Sequence, residues 1–250
     1  MSRIRRLRYS VTDRIKLLLL GRGALEPSYR PILHYLWQSG VKITADLDEL
    51  LIGLGSPPHG IAPGVVDSDE GAASRVFPDF YDSGNVTLTA LDALVRSHRP
   101  QIVVETGVAN GASTRAILSA LNRNASGALY SFDVDPRVTK AALGHEGENL
   151  WRLHILKDHS LFQELKQAVA SIGAPVDLWY HDSDHSYSWQ LSEYRLAFEF
   201  LRPGGFLVSD DIDGNEAFGD FLRESGLLVA YAIFDTRKVC GFVQKPMPNS

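Results

Sequence analysis

The side chains most capable of chemistry in this chain gather in two short stretches. The first reads Tyr180-His181-Asp182-Ser183-Asp184-His185-Ser186-Tyr187, and the second Arg202-Pro203-Gly204-Gly205-Phe206-Leu207-Val208-Ser209-Asp210-Asp211. Each contains an apolar run that ends in acids. Carboxylates at adjacent strand ends repel one another, and a hard divalent cation taking oxygen ligands is the usual way such a cluster becomes favourable. Asp182, Asp210 and Asp211 are therefore candidate metal ligands. A Mg²⁺ held there would orient the oxygens of a bound substrate and lower the pKa of an attacking hydroxyl. His185, with a reference pKa of about 6.5, is the candidate general base, and Asp184 is its rival. His181 precedes the first acid and reads as a packing residue or as a partner that orients it. Tyr187, Trp189 and Tyr194 are candidates to wall the site, although aromatics at helical spacing usually face a core. Upstream, Glu105-Thr106-Gly107-Val108-Ala109-Asn110-Gly111 adds a glycine turn. Together these features suggest metal-assisted group transfer.

The elements that must position them begin near Val86. A helix is expected over 87–97, then the strand Gln101-Ile102-Val103-Val104-Glu105, the glycine turn and a helix over 113–122. Further strands are expected near 128–132, 151–156, 176–180 and 205–209, with helical spacing between the later ones. This alternation implies a doubly wound parallel sheet. The end of the chain differs. Residues 227–234 and 239–244 are separated only by Asp235-Thr236-Arg237-Lys238, too short for a parallel crossover, so an antiparallel hairpin is expected. The fold class read from this pattern is α/β: a doubly wound, mostly parallel seven-stranded sheet with a C-terminal antiparallel hairpin and an N-terminal helical extension.

Five parallel strands closed by a hairpin resemble the class I S-adenosylmethionine-dependent methyltransferases over roughly residues 85–245. The resemblance implies a cofactor site at the glycine turn, with Glu105, Gly107, Asn110, Gly111, Ser113 and also Asp182 around it. Gly107 and Gly111 let backbone approach closely, and the helix that Ser113 opens favours the cofactor carboxylate. The full Gly-x-Gly-x-x-Gly spacing of dinucleotide enzymes is absent, which disfavours an NAD-type site. Asp133, in Tyr130-Ser131-Phe132-Asp133-Val134-Asp135-Pro136, stands where family members bind the ribose hydroxyls; its other reading is a turn acid ahead of Pro136. Asp158 or His159 resembles the reader of the adenine amino group, and either would equally cap the helix that follows. Asp182 followed by the pair Asp210-Asp211 resembles the metal site of catechol O-methyltransferase and, more closely, of the magnesium-dependent sugar O-methyltransferases of macrolide and aminocoumarin pathways. The catechol enzymes carry Asp-Asn at the pair and a lysine where His185 stands. The implied activity is divalent-metal-dependent O-methylation of a small hydroxylated acceptor, a sugar or other specialised metabolite, with S-adenosylmethionine and Mg²⁺ as cofactors. A metal-independent O- or N-methyltransferase and a non-catalytic cofactor-binding protein are the alternatives.

Composition bounds the rest. With 250 residues, 44% of them hydrophobic, the chain can bury a full core. Its net charge of -5 argues against a nucleic-acid partner, and a single cysteine asks for no oxidising compartment, so a cytoplasmic protein is the default. Residues 1–85 read as an N-terminal helical extension and lid or loop region, and 86–250 as the S-adenosylmethionine-binding catalytic domain. The first 20 residues carry six Lys and Arg near Leu17-Leu18-Leu19-Leu20. That apolar run is too short for a membrane span, so a basic amphipathic helix without stable membrane insertion is expected, packing on its own domain or on a second subunit of a homo-oligomer, with membrane-surface attachment as the alternative. The acidic, Gly- and Pro-containing stretch after it reads as a lid over the site or as a solvated connector.

Overall fold

The computed structural model describes residues 30–57, 77, 82–138, 148–157, 159–235 and 238–248. The amphipathic helix expected over the first 20 residues, most of the acidic lid stretch and Asp158 lie outside them.

Apolar alternation builds the sheet. In β2 (Ile102–Thr106), Val103 and Val104 point to opposite faces; in β5 (Val176–His181), Leu178 and Tyr180 oppose Trp179; in β6 (Leu201–Ser209), Phe206 and Val208 oppose Leu207. Successive side chains along a strand point to alternate faces, so a run that is apolar throughout demands cover on both sides. Helices α2 (Leu47–Gly53), α3 (Asn85–His98) and α4 (Ala112–Asn124) supply it on one face, with Leu50, Leu91, Leu94 and Ile117 in the core. On the other face stand α1 (Arg30–Gln38), α5 (Leu161–Ala170), α6 (Tyr187–Phe200) and α7 (Ala217–Glu224), with Leu36, Leu165, Tyr194 and Phe218 inward.

Among the described residues the sheet has eight strands in the order β1-β7-β8-β6-β5-β2-β3-β4, where β1 is Val41–Thr44, β3 Ala128–Asp133, β4 Trp151–Ile155, β7 Ala230–Asp235 and β8 Lys238–Gln244. Every pairing is parallel except those of β8, which runs antiparallel to both β6 and β7. The α/β class, the mostly parallel sheet and the terminal hairpin agree with the reading of the sequence. The eighth strand is an addition: Val41–Thr44 pairs with β7 from Val41↔Ala230 to Thr44↔Ile233 and extends the sheet at its edge. Four residues with two polar side chains carry too little period-two pattern to announce a strand.

Chain order reverses at β2, which lies between β3 and β5. The crevice beyond the carboxyl ends of strands at such a switch point is where α/β sheets bind ligands. Backbone hydrogen bonds continue past the strand ends and hold their outgoing loops level. Gly107 N–H donates to Phe132 O (2.8 Å), Asp182 N–H to Thr106 O (2.9 Å), and Asp210 N–H to His181 O (2.9 Å).

Candidate active site

A cavity of about 550 Å³ opens at these carboxyl ends, lined by residues from the loops after β2, β3, β5 and β6 and from the start of β8. Its first half is the glycine turn. Gly107 takes φ +84°, and a Cβ there would stand 2.1 Å from the Asp182 carbonyl oxygen. The missing side chain therefore admits the neighbouring strand's backbone, which locks the turn of β2 against the acid of β5. Gly111, at φ 77°, is the N-cap of α4, and no side chain caps that helix. Its first backbone N–H groups, beside Ala112 and Ser113 on the cavity wall, remain available to an anion.

Glu105 is fully buried and is not part of the cavity wall. Its carboxylate accepts hydrogen bonds from Ser113 Oγ (2.7 Å), Thr114 Oγ1 (2.8 Å) and Ser131 Oγ (2.6 Å), fastening β3 and the start of α4 to β2. Burial pushes its pKa up to about 7 against the pull of those hydroxyls. Asn110 is likewise a fastener: it accepts from Phe77 N–H (3.0 Å) and donates to Phe77 O (2.9 Å) and Asp82 (3.1 Å). Phe77, Asp82 and Ser83 thereby join the cavity wall, and Arg137 lies 4.8 Å from the Phe77 ring centroid. Part of the stretch read as a lid thus reaches the site. Asp133 lines the cavity and accepts from Val108 N–H (2.8 Å) and Asp135 N–H (2.8 Å), which aims its carboxylate. Phe132, Leu156, Leu161 and Leu165 form an apolar slot beside it. His159 is exposed and is not part of the cavity wall.

The second half is the acid cluster. Asp182 accepts from Ser83 Oγ (3.1 Å) and Tyr180 Oη (3.2 Å), and its other oxygen stands 3.4 Å from His185 Nε2. Asp211, held in the left-handed region at φ 51°, approaches the same His185 nitrogen at 3.6 Å. Burial works against the His185 imidazolium, but Asp182 and Asp211 outweigh it and raise its pKa. Asp184 is exposed, and its carboxylate accepts the Ser186 N–H (2.7 Å) just before α6. Asp210 is wholly buried and ion-paired with Lys238 Nζ. Burial pushes Asp210 up, against the pull of Lys238. Asp182 would also be raised by burial, yet the Lys238 ammonium and His185 hold it below the usual carboxylate value. Desolvation lowers Lys238, and Asp210, Asp182 and Asp211 more than reverse that.

The three acids converge as the sequence implies, but two basic side chains of the chain already stand among them. Lys238 takes Asp210, and His185 sits between Asp182 and Asp211. Among the described residues no group of three or more His, Cys, Asp or Glu side chains is arranged to hold a metal ion. As they stand, these donors do not fit a divalent cation.

Beneath the cluster lies a buried carboxylate that sequence reasoning missed. Glu193 of α6 accepts from Trp179 Nε1 (2.9 Å), Ser183 Oγ (2.9 Å), Trp189 Nε1 (2.8 Å) and Thr106 Oγ1, and pairs with His181 Nδ1 at 2.9 Å. His181 in turn packs edge-on against His185, ring centroids 5.6 Å apart. Burial would raise Glu193, but His181 and the hydrogen bonds prevail and hold it down at about 2. Its folded pKa lies below the ordinary 4.5, so the stability it contributes is present above that value and is lost as pH falls through about 2. Thermal midpoints from pH 5 to pH 2 check this: about 3 kcal/mol should disappear across that window, since each tenfold change in proton affinity is worth ~1.4 kcal/mol, and Glu193→Gln should flatten the dependence. Of the aromatics named as wall candidates, Trp189 lines the cavity, Tyr194 is core with its hydroxyl on Ser209 (2.7 Å), and Tyr187 is exposed and donates to Asp220 (2.9 Å).

Lys238 was legible only as part of a short hairpin connection, because nothing local marks a turn lysine as one that will face three aspartates. Glu193 gave no signal at all in a helix of mixed composition.

Residues 104–212 match a family model described as a methyltransferase domain. No match was found among curated proteins. Among solved structures, the chain is similar to an O-methyltransferase from Bacillus cereus in complex with SAH (16% identity, 94% of this chain and 96% of that chain, TM-score 0.52). It is also similar to the O-methyltransferase TomG from Streptomyces achromogenes, involved in tomaymycin synthesis, in complex with SAM (17% identity, 80% of this chain and 96% of that chain, TM-score 0.55). The chain shares the fold of these two O-methyltransferases.

Proposed function

We propose that this chain, a class I methyltransferase by fold, transfers a methyl group from S-adenosylmethionine to a hydroxyl oxygen of a small molecule. The observation that carries this reading is the placement of His185, bridged to Asp182 and Asp211, on the wall of the cavity that also holds Asp133 and the uncapped start of α4. The residues of the first half suit the cofactor. Open N–H groups would receive its carboxylate, Asp133 its ribose hydroxyls, and the Phe132, Leu156 and Leu161 slot its adenine.

The cofactor, when bound, supplies an electrophilic sulfonium methyl. The chain's own residues then have a proton to handle. As the acceptor oxygen attacks, its proton would pass to His185, while the bound cofactor would supply the methyl group and keep the bonding electron pair on its sulfur. Asp182 and Asp211 orient the imidazole and stabilise its charged form. The Asp184 carboxylate already accepts a backbone N–H, which makes it the weaker candidate for base.

Among the described residues no helix is long and apolar enough to cross a membrane. A cytoplasmic enzyme taking a sugar or other specialised metabolite, with residues 1–85 selecting the acceptor and mediating oligomer contacts, is the finer version of the proposal. Magnesium dependence is a second reading, favoured by the convergence of Asp182, Asp210 and Asp211; it requires Lys238 and His185 to give way.

The test is calorimetry with S-adenosylhomocysteine together with transfer of labelled methyl from S-adenosylmethionine to a panel of sugars, phenols and amines. We expect binding and labelled oxygen. His185→Ala should lower kcat by about 100-fold or more while leaving S-adenosylhomocysteine affinity unchanged. Undiminished turnover would move the base to Asp184, label on nitrogen would replace the O-directed reading, and tight binding with no label on any acceptor would favour a non-catalytic role. Loss of turnover in EDTA would restore the metal.

A further inference from the structure

We propose that Lys238 is the resident cation of the acceptor site, its ammonium standing in for a divalent metal among Asp182, Asp210 and Asp211. This rests on the methyl-transfer reading above and adds a residue to it. Lys238 opens β8, the one strand that runs antiparallel to its neighbours, and that direction delivers its side chain to the carboxyl end of β6. There it is ion-paired to Asp210, buried to 8% exposure, and part of the cavity wall together with Asp182, Asp211 and His185.

Three carboxylates this close need positive charge, and a buried carboxylate left without it is strongly unfavourable. A lysine placed by the fold meets that need without an exchangeable ligand. An ammonium also keeps hydrogen-bond donors beyond the one given to Asp210, and so suits an oxygen that gains negative charge. In the transfer step the acceptor O–H proton goes to His185, the new O–CH₃ bond forms as the S–CH₃ bond breaks, and the Lys238 ammonium stabilises the developing charge on oxygen without giving up its own proton. The acceptor class is then an alcohol or sugar hydroxyl reaching the Lys238 and His185 side of the cavity.

The test reads cation binding directly, so it stands apart from whether any acceptor is found. Mn²⁺ binding, followed by electron paramagnetic resonance, is compared between the wild-type chain and Lys238→Met, which keeps an unbranched stem and removes the charge. We expect no wild-type binding at millimolar Mn²⁺ and at least tenfold tighter binding by Lys238→Met, since loss of the ammonium leaves the Asp210 carboxylate, beside Asp182 and Asp211, open to a hard cation. Wild-type binding that is as tight as the variant's, and is lost in Asp211→Asn, would overturn the proposal. So would a folded Lys238→Met that binds no Mn²⁺. If Lys238→Met proves insoluble, the wild-type chain decides: Asp211-dependent Mn²⁺ binding overturns the proposal, and its absence sustains it. Failure of the methyl-transfer reading would show instead as no label transfer, with the Mn²⁺ result unaffected.

Discussion

Gly107→Ala should cost about 2–5 kcal/mol of stability and abolish S-adenosylhomocysteine binding in whatever protein remains folded. Two penalties coincide at this residue. At φ +84° an alanine occupies the left-handed region, which disfavours a Cβ by about 1–2 kcal/mol. The new methyl would also stand 2.1 Å from Asp182 O, 2.7 Å from its carbonyl carbon and 3.1 Å from Ser183 Cα. These are backbone atoms and cannot rotate away, so relief requires β5 to part from β2 at their carboxyl ends. Overpacking of this kind typically adds about 1–3 kcal/mol. The movement would carry Asp182 away from Ser83, Tyr180 and His185 and open the turn that leads into α4. Gly226→Ala is the control. Gly226 has φ +66° but nothing within 4 Å of its Cβ position, so only the conformational penalty should appear. Urea unfolding and calorimetry on both variants check this; equal losses would mean that the contact with Asp182 is unimportant.

Glu193→Ala should destabilise the chain by about 3–5 kcal/mol, since several buried donors lose the acceptor they share. The substitution leaves the Trp179 and Trp189 indoles, the Ser183 and Thr106 hydroxyls and the His181 imidazole facing a void. Each buried donor left without an acceptor carries its own desolvation cost. Ser183 and Trp189 line the cavity and His181 packs on His185, so turnover should fall alongside stability. Glu193→Gln keeps an acceptor oxygen and the side-chain shape. It should recover the part of the stability that comes from packing and hydrogen bonding, though not the part that comes from ionisation, and much of the kcat, whereas a residue acting by its charge in the reaction would not be rescued. Thermal unfolding and kcat for the two variants at neutral pH separate these outcomes.

Sequence legibility follows the range of the interactions involved. The strands Ile102–Thr106 and Val176–His181 and the 205–209 part of β6 were readable because an apolar run with acids at its end is a local pattern. Their order of succession implied a parallel sheet, and a parallel sheet necessarily places Asp182, Asp210 and Asp133 at one edge. Val41–Thr44 escaped because four mixed residues form a strand only when β7 offers a partner. Gly107 was expected to make room for the cofactor; the atom that its missing side chain admits in the structure is the carbonyl oxygen of Asp182, 75 residues away in the chain. Glu105 sat in the right motif, and its three hydroxyl partners make it a fastener beneath the site.

Sequence alone, then, determined the α/β class, the mostly parallel sheet with its antiparallel end, the glycine turn and the convergence of three aspartates with a histidine, since each follows from periodicity or from the ends of neighbouring strands. Only the tertiary structure decided what neutralises those aspartates. Lys238 meets Asp210 because β8 runs back along β6, and Glu193 gathers five donors because α6 lies across β5. Such contacts join residues distant in the chain through the packing of whole elements, and no local pattern of residue types encodes them.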